Sequence, residues 1–150
     1  LTRFSAEDYP EYSIIDDLAE ARPVPVEAHM KLKAVKRDEA RVFDLPGRQW
    51  LHYVGPETTG AKNITVGYSI FPGGSAPEGH VHPTQEEVIY IVSGFGELVT
   101  PEGTAVLEPG TVVYIPVGLH HQTVAHGNEP LEMVTSFSPP VVPGSYEKDE

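Results

Sequence analysis

The 150-residue sequence predicts a single all-β domain, a sandwich or barrel, behind a short N-terminal arm that holds a little helix. Three observations carry this. Short β-prone runs recur from residue 42 onward, Gly/Pro turns divide them, and the first forty residues share neither trait. The chain holds 15 prolines and 14 glycines, far more than helices tolerate and about what many tight turns need. One domain of this length can bury a core without staples.

In the arm, Ser5-Ala6-Glu7-Asp8 and Ser13-Ile14-Ile15-Asp16 both have the Ser-x-x-acid form of a helix start. Asp17 to Arg22 completes one short helix, which Pro23 and Pro25 end. Lys31 to Arg41 is basic but interleaved with acids, and reads as an exposed strand or turn. The expected strands then follow in order: Val42 to Leu45, Gln49 to Val54, Asn63 to Phe71, Glu87 to Ser93, Glu97 to Thr100, Thr104 to Leu107, Thr111 to Ile115, Leu119 to Ala125 and Leu131 to Phe137. Each is bounded by a break such as Leu45-Pro46-Gly47, Phe71-Pro72-Gly73-Gly74 or Pro116-Val117-Gly118. With three prolines between Ser138 and Gly144, the tail is expected to be extended. The predicted organisation is an arm over 1–41, a barrel over 42–138 and a tail over 139–150.

Charge and composition exclude several classes. A formal net charge of −12 gives no electrostatic footprint for nucleic acid, and anionic membranes repel it. No cysteine is present, so disulfides, zinc ribbons, iron–sulfur clusters and thiol nucleophiles are out. No apolar run reaches the length of a membrane span. Leu1 to Asp8 lacks the basic and apolar regions of a signal peptide, so a cytoplasmic location is expected.

Of seven histidines, five fall between residues 80 and 126. His80-Val81-His82 sets two imidazoles on one strand face, and Pro83-Thr84 then turns the chain. Glu87 opens the next strand, with Ile89 and Ile91 on its face and Val88, Tyr90 and Val92 on the other. His121 shares a face with Leu119, Thr123 and Ala125. Two imidazoles and a carboxylate converging from adjacent strands make a hard-to-borderline metal site, and His121 offers a third imidazole. Spacing alone does not choose between Glu86 and Glu87, or between His120 and His121. His29 and His52 stand apart from the cluster and read as structural or solvated. Pocket candidates without assigned register are Tyr68, Gln49, Trp50, His52, Tyr53 and Tyr114; with Thr123, Tyr68 and His52 are the candidates for catalysis.

The motif Gly74-(x5)-His80-x-His82-(x4)-Glu87-(x6)-Gly94 resembles the first signature of the cupin superfamily, and Gly110-(x5)-Pro116-x-Gly118-(x2)-His121 resembles the second. Nine fixed identities at set spacing do not recur by chance. One position departs: Ala125 stands where the second signature usually ends in Asn, and Gly127-Asn128 can turn the chain just downstream. The resemblance covers 74–125 and implies a double-stranded β-helix, a jelly-roll-like barrel. It also implies that His80, His82, Glu87 and His121, rather than Glu86 or His120, ligate one divalent transition metal per chain. Fe(II) or Mn(II) is favoured, with Zn(II) or Ni(II) possible. Three neutral imidazoles and one carboxylate leave the ion a net +1 and, in octahedral geometry, two open positions.

The function expected from this set is a metal-dependent enzyme acting on a small oxygen-containing molecule. The leading reading is a non-haem dioxygenase-type oxidoreductase. The alternatives are a redox-neutral isomerase, decarboxylase or lyase on a sugar or hydroxy acid, and a non-catalytic binding module. The expected partners are a small-molecule substrate and a second copy of the chain in a homodimer, with no nucleic acid and no membrane.

Overall fold

The computed structural model describes residues 32–141 and the two-residue strand at 147–148. The expected helix of the arm and His29 lie outside the described residues. Ala34 begins the compact unit that carries the strands. Residues 32–40 are exposed coil and one 3-10 turn, Arg37–Glu39, so the basic segment is an exposed turn as expected.

Among the described residues, eleven strands follow: β1 Arg41–Leu45, β2 Arg48–Val54, β3 Thr65–Phe71, β4 His80–Val81, β5 Glu86–Ser93, β6 Gly96–Thr100, β7 Gly103–Leu107, β8 Val112–Ile115, β9 Gln122–Ala125, β10 Leu131–Ser138 and β11 Glu147–Lys148. All nine runs expected from the sequence are strands. One sheet has the order β1-β2-β3-β10-β5-β8, and facing it are β7-β6-β9 and the pair β4-β11. A reciprocal pair of backbone hydrogen bonds between His80 and His121, each 3.0 Å, ties β4 to the chain entering β9. The result is the two-sheet, all-β arrangement of a jelly-roll-like barrel.

Alternation sets the interior. On β5, Glu87, Ile89 and Ile91 are buried while Val88, Tyr90 and Val92 are exposed; on β10, Leu131, Met133, Thr135 and Phe137 are buried. Along the inward rows, chemistry changes from one end to the other. Glu87 gives way to Ile89 and Ile91 on β5, Phe137 and Thr135 to Met133 and Leu131 on β10, and Thr123 to Ala125 on β9. The aliphatic end is a closed core of Ile89, Ile91, Leu98, Leu107, Ile115, Leu131 and Met133. Each such side chain contributes about 1.5–3 kcal/mol by leaving water. The other end keeps polar groups around a cavity.

Two glycines make the geometry possible. Gly94 sits at φ +82°, and a Cβ there would press on Pro130 O and come within 2.6 Å of Leu131 Cα. Gly67 faces inward on β3, where a side chain would occupy the space of the Trp50 indole. At the start of the tail, Val141 is buried with Trp50 and Phe137, and Thr65 Oγ1 accepts from its N–H at 3.2 Å. The first tail residues therefore complete the barrel wall.

Candidate metal centre

The polar end of the barrel holds an open cavity of about 520 Å³, its solvent-filled mouth included. His80, His82, Glu87, His121 and Thr123 line it together with apolar walls from Leu45, Trp50, Phe71, Ile89, Met133, Phe137 and Val141. Arg48, Ser69 and Thr135 complete the lining. Every strand residue in this set lies on the inward row of its strand.

The three imidazoles come together because two segments pair. His80 and His121 are directly opposite in an antiparallel bridge, so their side chains share a face, with ring centroids 4.5 Å apart. His82 O accepts from Gly118 N–H at 3.0 Å, which holds the chain beyond β4 against the same segment. His82 lies 4.9 Å from His80 and 5.4 Å from His121 by ring centroids, and packs edge-on against Phe137 at 5.1 Å. One ligating atom from each histidine falls within 4.8 Å of the others. Glu87 enters from the facing sheet. Its Oε2 is 3.2 Å from His82 Nε2 and 3.3 Å from His121 Nε2.

The donor set fits a divalent cation. His121 Nδ1–H donates to Leu119 O at 2.9 Å; since a carbonyl can only accept, the proton is on Nδ1 and a neutral ring turns a lone pair on Nε2 toward Glu87. A buried lone pair facing a carboxylate is satisfied by a cation between them, or by a proton on Nε2. His121 and Glu87 are 2% and 5% exposed, so water supplies little compensation. Burial, followed by the neighbouring charges of His121, His82 and Arg48, lowers His80 to about 3 and keeps it neutral. Burial pushes Glu87 upward, but hydrogen bonds and charge from His121 and His82 overcome it and hold the carboxyl at about 2. For His121, burial also opposes the charged form, yet Glu87 outweighs it and the ring is raised above its ordinary value. A proton and a divalent cation would thus compete for one lone pair.

Of the two ambiguous pairs, Glu87 and His121 line the cavity, and Glu86 and His120 do not. The exposed Glu86 accepts from Tyr114 O–H at 2.8 Å on the outer surface. The His120 ring occupies the space over Gly79, away from the cavity lining.

The pocket candidates divide. Trp50 and Thr123 line the cavity; Trp50 Nε1–H donates to Thr135 Oγ1 at 3.0 Å, which fixes the indole as a wall. Tyr68 does not line it: its side chain is on the outward row of β3, with O–H donated to Glu132 at 2.6 Å and the Arg37 guanidinium 5.1 Å over its ring. His52 is buried but sits one inward position beyond Trp50, stacked on it at 5.0 Å and clear of the cavity lining. Burial lowers its pKa. Gln49 and Tyr114 are exposed, and Tyr53 is not among the lining residues either. No local sequence signal marks Arg48, Ser69, Thr135 or Phe137 as lining residues. Their inward facing follows from sheet register, which long-range pairing sets.

A family model described as Cupin_2, a cupin domain, matches residues 67–137. An uncharacterised protein of Streptomyces coelicolor is 33% identical over 53% of this chain and 73% of its own length. A glucose-6-phosphate isomerase of Thermococcus kodakarensis is 41% identical over 41% of this chain, which spans only 39% of that enzyme. Among solved structures, the polyketide cyclase RemF from Streptomyces resistomycificus superposes with a TM-score of 0.67 at 20% identity, covering 80% of this chain and 87% of that one. Among the described residues no helix is long and apolar enough to cross a membrane.

Proposed function

Given that the chain belongs to the cupin family, we propose that it is a metal-dependent enzyme performing a redox-neutral reaction, an isomerisation, cyclisation, decarboxylation or elimination, on a small oxygen-containing molecule. The observation that carries this is the buried cluster of His80, His82 and His121 at the polar end of a largely apolar cavity. In this reading those three imidazoles and Glu87 hold one divalent ion. Fe(II) or Mn(II) is the favoured occupant, and Zn(II) or Ni(II) suits the same donors. When bound, such an ion supplies Lewis-acid polarisation of a substrate carbonyl or hydroxyl oxygen.

The chain's own residues do the rest. Glu87, ionised, balances part of the ion's charge, and the Leu119 carbonyl fixes the His121 ring so that Nε2 faces inward. Trp50, Phe71, Phe137 and Val141 exclude water from the cavity walls, which strengthens polar contacts made inside. The hydroxyls of Ser69 and Thr123, one on each sheet, are donors and acceptors for substrate oxygens.

The isomerase and cyclase named above support the redox-neutral reading over the dioxygenase expected from the sequence. A direct test loads the protein with Fe(II), Mn(II) or Zn(II) and screens hydroxy-carbonyl compounds under nitrogen. Turnover without oxygen is the expected result. Substrate loss that needs stoichiometric oxygen uptake, and none under nitrogen, restores the dioxygenase reading. We also propose a homodimer in which residues 1–41 contribute contact, and a cytoplasmic location.

A further inference from the structure

We infer that Thr135 and Ser69 form a second oxygen-binding subsite in the cavity, so that the substrate carries two oxygen functions, one at the histidine cluster and a carbonyl held by these hydroxyls. The inference rests on the reading of the cluster as a metal site and names the substrate class it serves: small compounds with an uncharged ketone or ester carbonyl at the end away from the cluster.

Sheet register puts the polar groups in line. Glu87 pairs with Phe137 and Ile89 with Thr135 across β5 and β10, while Thr135 pairs with Gly67 and Met133 with Ser69 across β10 and β3. Glu87, Thr135 and Ser69 are therefore successive diagonal neighbours on the inner face, each step about 7–8 Å. All three line the cavity. Ile89, Met133 and Phe71 flank this row on one side and Phe137 on the other, so it is a polar stripe on an apolar wall.

The partners of the row decide what it can bind. Trp50 Nε1–H only donates, so Thr135 Oγ1 accepts from it at 3.0 Å and keeps its own proton to give. Accepting that bond strengthens the hydroxyl as a donor. The indole is held in place, stacked on His52 at 5.0 Å and fitted over Gly67. Thr135 and Ser69 are each 3% exposed, yet among the described residues the Thr135 proton has no acceptor and the Ser69 hydroxyl has no partner. A buried hydroxyl left so is costly, and a ligand oxygen between the two recovers the loss. A carbonyl oxygen matches them, with two lone pairs and no proton of its own. A carboxylate placed against two neutral hydroxyls loses more hydration than they return.

The test uses three hydroxamates of matched length, whose hydroxamate end takes the metal. They are 4-oxopentanohydroxamate, with a ketone at the far end, pentanohydroxamate, without it, and succinate monohydroxamate, with a carboxylate in its place. Trp50, the one tryptophan of the chain, reports binding by its fluorescence. Each probe is titrated into Zn(II)-loaded full-length protein, wild type, Thr135→Val, Thr135→Ser and Ser69→Ala, with zinc content measured in parallel. Wild type is expected to bind the ketone about three- to tenfold more tightly than the plain chain, and more tightly than the carboxylate. Thr135→Val and Ser69→Ala should each lose most of that preference, and Thr135→Ser should keep it. Should Thr135→Val fail to fold, Ser69→Ala, whose hydroxyl holds no other residue, decides alone. No ketone preference in wild type, a preference for the carboxylate over the ketone, or an undiminished ketone preference in the variants overturns the inference. So does a loss in Thr135→Ser as large as in Thr135→Val, which assigns the effect to packing of the methyl group. A protein that takes up no zinc overturns the metal reading instead, and the same titrations without metal then decide the inference: a ketone preference lost in Ser69→Ala keeps it, and no preference overturns it.

Discussion

Replacing His121 and His120 one at a time separates the site from its neighbour in the chain. His121 is 2% exposed, hydrogen-bonded to Leu119 O at 2.9 Å and 3.3 Å from Glu87. His121→Ala removes one hydrogen bond of about 1 kcal/mol and takes a partner from a buried carboxylate, at about 1–3 kcal/mol. The metal-free fold should thus lose about 2–4 kcal/mol. The larger effect is on metal affinity: even partners one step outside a ligand shell are worth ten- to a hundredfold, so deleting an imidazole ligand should cost more than about a hundredfold. Wild type at a free metal concentration a hundred times its dissociation constant gains about 2.7 kcal/mol, a rise in melting temperature of about 5–10 °C. His121→Ala should show almost none of that rise at the same concentration. His120→Ala, whose ring lies over Gly79 outside the cavity, should keep nearly all of it. Melting curves with and without Zn(II) or Mn(II), read beside metal content, give both numbers. Equal loss in the two variants, or a full metal-dependent rise in His121→Ala, refutes the assignment.

Acid should act on the metal-free protein in a defined window. His80 is held at about 3, so below pH 6.5 the unfolded chain takes a proton the folded one refuses, and stability falls by up to about 1.4 kcal/mol per pH unit toward pH 3. Glu87, held at about 2, adds to the loss below its ordinary value of 4.5, as unfolded carboxyls protonate first. His121 works in the opposite sense: its contribution is complete below 6.5 and is lost as pH rises through its raised value. Urea melts across pH should therefore place maximum stability of the apo-protein near 6.5; a steady rise in stability on acidification to pH 4 would contradict this. Gly94→Ala should destabilise by about 2–4 kcal/mol, from its φ of +82° and the press against Pro130 and Leu131, and an unchanged melting temperature would show that the β5–β6 turn relaxes freely. For the proposed homodimer, light scattering at micromolar protein should give twice the chain mass, with dissociation reduced as salt screens the −12 on each chain. A monomer in ~150 mM salt would refute it.

Strands were legible in the sequence because turns and alternation are local. The two motifs likewise carried the cluster, since antiparallel pairing of His80 with His121 follows from segments whose spacing is fixed. What the sequence did not expose is the cavity wall. On β3 the inward residues are Thr65, Gly67, Ser69 and Phe71, and the outward ones are Val66, Tyr68 and Ile70. Except at Phe71 the small residues face in and the larger ones face out, the reverse of the pattern that burial usually writes, because the inward side must leave room for the Trp50 indole. Tyr68 therefore looked like a pocket residue and is not one. His52 shares the inward row of Trp50, but each second residue on a strand is about 6.7 Å further along, which carries it past the cavity. Arg48 was hidden for a related reason. A single arginine beside a Pro-Gly turn reads as solvated until the pairing of β2, β3 and β10 shows which end of the barrel it faces.

The most direct measurement is elemental analysis of untagged protein, stripped by a chelator and reconstituted with Fe(II), Mn(II) or Zn(II). One divalent ion per chain is predicted, lost on acidification as protons displace it from the imidazoles, whose ordinary pKa is about 6.5. No stoichiometric metal as purified, and no uptake on reconstitution, would contradict the assignment of His80, His82, Glu87 and His121 as its ligands.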